Sequence, residues 1–143
     1  MNRRRRGATH VLLAVLLVTA GTACSSETLA SAGTSERYRY TAEQRSPFVA
    51  AQSGVLTVTQ QAGDRFDGSL DVLQTNPNGQ LERRAGIVRG RWTGGTMDFD
   101  VMLGGDVVRH VGRSIADTVA GSWLDISAVG NAASGTFRLE RAP

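Results

Sequence analysis

One cysteine among 143 residues excludes an internal disulfide, so the fold must be held by packing and hydrogen bonds alone. The formal charge of +3 suggests a basic protein, but four of the 16 basic residues, Arg3 to Arg6, stand at the very start. From Cys24 onward 12 arginines face 13 acidic residues, a balance of −1, which removes the charge argument for a nucleic-acid partner.

The arginine cluster precedes an apolar run, Val11 to Val18, and then the small residues Ala20-Gly21-Thr22-Ala23 before Cys24. This is the three-part plan of a secretory signal, and the apolar run is well short of the roughly 20 residues a spanning helix needs. Arg5-Arg6 lacks the bulky apolar pair of a twin-arginine signal, because Gly7-Ala8-Thr9 follows. The segment Gly21-Thr22-Ala23-Cys24 resembles the lipobox of bacterial lipoproteins, with Gly21 where that motif usually carries leucine. The resemblance implies a diacylglyceryl group on Cys24 and acyl chains that hold the protein to a membrane of the bacterial cell envelope, either the extracytoplasmic face of the plasma membrane or the outer membrane. The alternative is ordinary cleavage near Ala20 or Ala23 and release of a secreted protein.

The organisation that follows is a signal peptide at 1–23, a lipidated tether at 24–36 and a single domain at 37–143. The tether is rich in Ser, Ala, Thr and Gly, with little to bury. About 120 residues remain after the signal, enough for one small domain.

From Arg37 the pattern changes to short runs of β type with no helical period. Strands are expected at 37–41, 55–61, 65–74, 81–92, 96–103, 107–115, 118–126 and 134–141. Turn residues such as Asn76-Pro77-Asn78-Gly79, Gly94-Gly95 and Gly104-Gly105-Asp106 separate them. Links this short join antiparallel neighbours, so the topology is a meander. The stretch 43–53, with Pro47-Phe48-Val49, reads as a longer loop or one helical turn across a barrel end.

Alternation sets the faces. Met97, Phe99, Val101 and Leu103 share one side and Asp98 and Asp100 the other. Phe66, Gly68, Leu70 and Val72 likewise oppose Asp67, Ser69 and Asp71. A spacing of apolar-x-Gly-x-large apolar recurs at Phe66-Gly68-Leu70, Val88-Gly90-Trp92, Val119-Gly121-Trp123 and Ala133-Gly135-Phe137. Inward glycines let strands bend enough to close a small barrel. The expected fold is therefore all-β, a single up-and-down antiparallel barrel of about eight strands. With its Leu56-Thr57-Val58-Thr59-Gln60-Gln61 opening and Ser134-Gly135-Thr136-Phe137-Arg138-Leu139 ending, the stretch from Gly54 to Arg141 resembles small bacterial lipocalin-like barrels. That resemblance implies architecture and no reaction.

Chemistry is sparse. His10 leaves with the signal, so His110 is the one histidine of the domain, and parity turns it inward with Val108, Gly112 and Ser114. It is either a polar contact for a ligand or a core histidine satisfied by a carbonyl or water. Four residues along a strand span about 13 Å, which separates His110 from Ser114 and leaves no catalytic pair. Trp92 and Trp123 occupy equivalent repeat positions and either line a pocket or fill the core. The candidate lining is thus Trp92, Trp123, His110 and Phe99, with no catalytic residue, metal or cofactor expected. The acids on outward faces, Asp98 with Asp100 and Asp67 with Asp71, read as solubilising charges rather than cation ligands. Arg83, Arg89 and Arg91 share an outward parity. The leading expectation is a non-enzymatic binding module for a small apolar ligand in one continuous cavity. The second is a structural or interaction protein with a solid core, working through its outer surface.

Overall fold

The computed structural model describes residues 34–60 and 63–143. Cys24, the expected signal and most of the expected tether lie outside the described residues. Eight strands follow in order: β1 Ser35–Ser46, β2 Ala50–Gln60, β3 Arg65–Thr75, β4 Leu81–Thr93, β5 Thr96–Leu103, β6 Asp106–Ile115, β7 Thr118–Asp125 and β8 Ser134–Arg141. Each pairs antiparallel with its chain neighbours, and β8 pairs with β1, so the sheet closes into a barrel. The meander expected from the short links is the topology observed.

The stretch 43–53 is different from its expectation. Both β1 and β2 run through it, and only residues 47–49 form the link, after a cis Ser46-Pro47 bond. Alternation continues from Tyr38 and Tyr40 through Ala42 to Gln44, all buried, while Glu43 and Arg45 face water. Inward residues that are small or polar hid the strand signal. The backbone groups there are nonetheless taken up on both sides, with Ala42 opposite Gln52 on β2 and Phe137 on β8. β1 also begins two residues earlier than expected, at Ser35.

The inward glycines bring neighbouring strands into close approach. A Cβ placed on Gly121 would lie 1.9 Å from the carbonyl oxygen of Val111 on β6. At Gly90 it would meet Phe66 Cζ at 2.6 Å and Phe99 Cβ at 2.5 Å, so aromatic rings fill the space that glycine leaves. At Gly90 and Gly135 a missing side chain on one strand is thus matched by a large ring from a neighbouring strand.

Those rings close the barrel at its waist. Phe99 stacks on His110 at 4.6 Å and 7°, and Phe137 meets both edge-on at 5.8 and 5.1 Å. Phe66 lies 6.2 Å from Phe99. Such offset and edge-on pairs favour the ring quadrupoles beyond the area they bury. One cavity lies toward each end, and the two share no lining residue, so the interior is divided rather than continuous.

Candidate ligand-binding mouth and the His110 network

The larger cavity, about 300 Å³, opens at the end where β1 and β3 begin and β2, β4 and β8 finish. Its walls are Tyr38, Val58, Phe66 and Trp92, and its rim carries Glu36, Asp64, Arg65 and Arg141. Tyr38, Val58 and Phe66 are buried by strand parity, whereas Trp92 is half-buried and sits against the core. The Tyr38 and Trp92 rings are 6.3 Å apart and tilted by 43°. The turn before β3 is fastened to the end of β4, since Trp92 N–H donates to the Asp64 carbonyl at 2.8 Å. On the opposite wall the Tyr38 hydroxyl donates to Glu36, which also accepts from Arg141 Nη2 at 3.0 and 3.1 Å. Burial, and then the hydrogen bond to Glu36, push the Tyr38 phenol above its ordinary value, so it stays a neutral donor. The mouth is an aromatic cup with fixed polar groups at its lip, the usual make-up of a small-molecule site.

His110 stands deeper, at 1 % exposure. Its Nδ1 lies 3.2 Å from the Val108 carbonyl, which can only accept, so Nδ1 carries the proton. Nε2 then accepts from the Tyr40 hydroxyl at 3.1 Å. Burial lowers the imidazole to about 4, outweighing the Val108 bond and the Asp100 charge that act the other way. Burial also pushes the Tyr40 phenol well above its ordinary range. At neutral pH both groups are uncharged.

Of the four residues singled out in the sequence, the structure sends one to the mouth and three elsewhere. Trp92 lines the mouth; Phe99 and His110 form the waist; Trp123 packs 6.4 Å beyond His110 toward the other end. Tyr38, Phe66, Arg65 and Arg141 complete the mouth and were not singled out. The signal for Tyr38 was its alternation with Tyr40, and for Arg141 its place one step past Leu139 on the inward parity. At the far end the inward parity runs on into polar residues. Gln52 Nε2 donates to Gln74 Oε1 at 3.2 Å, and Arg84 Nη2 to Asp106 Oδ2 at 2.9 Å.

The outward acids lie in cross-strand pairs. Arg109 donates twice to Asp100, at 3.0 and 3.2 Å, and Arg83 pairs with Asp71. Arg89 stands in register between Asp67 and Asp100. The surface around Arg83, Arg89 and Arg91 is thus mixed in sign rather than a basic patch. Among the described residues no group of three or more His, Cys, Asp or Glu side chains could hold a metal.

No family model and no curated protein matches the chain. A solved structure does. It is described as "Structure of EF1p2_mFAP2b bound to DFHBI", and the two share 11 % identity at a TM-score of 0.59 over 75 % of this chain and 92 % of that one. At that identity the likeness is one of fold: a closed β-barrel.

Proposed function

We propose that the protein is a lipoprotein of the bacterial cell envelope, held to a membrane by acyl chains on Cys24, whose barrel binds a small apolar molecule in the mouth walled by Tyr38, Phe66 and Trp92. The observation that carries the binding reading is the cavity of about 300 Å³ between those rings, the lower end of the size range for small-molecule sites. The likeness to a barrel described with DFHBI bound supports it. The anchor rests on the run from Arg3 to Cys24. Neither a catalytic constellation nor a cofactor enters this reading.

Intact-mass spectrometry of protein extracted from its native envelope tests both parts. A diacylglyceryl mass on Cys24 and a co-purifying small molecule are expected; an unmodified Cys24 removes the anchor. For the mouth, the probe is the apolar dye N-phenyl-1-naphthylamine. Saturable binding weakened at least 10-fold by Trp92→Ala is expected, and equal binding by both proteins overturns this site.

A second reading, an interaction protein working through its surface, is favoured by one observation. Phe48 and Val49 at the β1–β2 link are 44 % and 72 % exposed. A Phe48→Ser, Val49→Ser double variant that loses envelope partners in crosslinking while keeping dye affinity would establish it.

A further inference from the structure

At the end opposite the aromatic mouth, Trp123 carries the one buried side-chain polar atom among the described residues that has no hydrogen-bond partner, its Nε1. The residue is 5 % exposed, and an indole N–H can only donate. Buried donors left unpaired are rare in native proteins and call for a partner. Trp123 lines a cavity of about 30 Å³ whose wall also includes Tyr40, Gln44, Gln52 and His110. That is enough room for a water molecule.

The wall supplies the other half of a binding set. Tyr40 donates a hydrogen bond to His110 Nε2, so its oxygen keeps lone pairs that can accept. Gln44, 5 % exposed, brings a primary amide with both donors and an acceptor. A group placed here must accept from Trp123. An apolar group would leave that donor unpaired, and a cation would meet it with the wrong sign.

We propose that this cavity is a binding site for a single hydroxylic oxygen, one that accepts from Trp123 Nε1–H and donates to Tyr40 Oη, with the Gln44 amide beside it. Two sources share that chemistry: a resident water, and the hydroxyl of a small alcohol entering past Gln44 and Gln52. The site is independent of the apolar mouth and shares no residue with it. The barrel is then a two-ended binder, apolar at one mouth and oxygen-selective at the other.

Tryptophan occurs only twice in the chain, so ¹⁵N-tryptophan labelling of the full protein gives two indole N–H signals, which Trp92→Phe or Trp92→Tyr assigns. The Trp123 signal is expected at the downfield, hydrogen-bonded position. A magnetisation-transfer peak to a long-lived water identifies water as the occupant. A saturable shift on adding methanol, with loss of that water peak, identifies the hydroxyl as a second occupant. A water peak that persists at every methanol concentration assigns the site to water alone. Tyr40→Phe is expected to weaken the water peak at least severalfold and leave the Trp92 signal in place. An upfield Trp123 signal with neither a water contact nor a saturable response overturns the proposal.

Discussion

Tyr40 and His110, 70 residues apart in the chain, meet at 3.1 Å inside the barrel, with the phenol donating to the imidazole Nε2. Neither is exposed by more than 1 %. Because the Val108 carbonyl already takes the Nδ1 proton, the tautomer of His110 is settled by its two neighbours, and the ring is locked neutral in a stack of aromatic rings.

The first consequence concerns acid. Burial lowers His110 to about 4, while the unfolded chain keeps an ordinary imidazole near 6.5. Above pH 6.5 both states are unprotonated and this group adds no pH dependence. As pH falls from 6.5 to 4 the unfolded state takes up the proton first, so stability drops across that window by about 3 kcal/mol. Urea midpoints measured from pH 7.5 to 4 should fall accordingly, and His110→Gln should flatten the profile. An identical slope in the two proteins would remove His110 as the cause.

Removing the phenol hydroxyl tests the other partner. Tyr40→Phe keeps the ring that stacks on Phe137 at 6.3 Å but leaves His110 Nε2 buried without a donor. A loss of about 1–3 kcal/mol is expected from denaturant unfolding. Tyr38→Phe, at the mouth where Glu36 keeps Arg141 as a partner, should cost less.

Phe99 closes the waist against Phe66, Phe137 and His110. Phe99→Ala should destabilise by about 3–5 kcal/mol, as large aromatic deletions in packed cores do. If the variant remains folded, the two cavities are expected to merge and dye capacity to rise. Phe99→Leu, a smaller loss, provides the folded comparison.

Close approach at Gly121 is tested with one methyl group. Gly121→Ala places a Cβ 1.9 Å from the Val111 carbonyl oxygen, backbone that cannot swing aside. The variant is expected to be recovered mostly insoluble, or to unfold several kcal/mol more easily, an overpacking cost at or above the usual 1–3 kcal/mol. Ser122→Ala, next along the strand and facing water, should stay within about 0.5 kcal/mol of the parent. Equal stability of the two would show that the β6–β7 pair yields there.

The order of the eight strands, their antiparallel pairing and the inward faces of β3, β5, β6 and β7 were legible in the sequence. Period-two alternation with short glycine links admits few other arrangements. The strands through 43–53 were not legible, because Ala42, Gln44, Gln52 and Gly54 face inward without being both large and apolar. Their pairing is decided by what β3 and β8 offer on either side. The candidate site was read partly. Parity turned Trp92, Phe99, His110 and Trp123 inward, but parity says nothing of depth. Register placed Trp92 at the open mouth and the other three at or beyond the waist.

On its own, then, the sequence determined the near-neutral charge from Cys24 onward and a glycine-punctuated barrel. Each of these is written in local spacing and composition. Only tertiary structure decided that the interior is split in two, that His110 finds both its partners, and that Trp123 Nε1 finds none among the described residues. Those facts depend on which side chains from distant strands reach the same depth. Closure of β8 onto β1 fixes that depth through Tyr40 opposite Leu139 and Ala42 opposite Phe137, pairings between residues almost a hundred positions apart that no local pattern encodes.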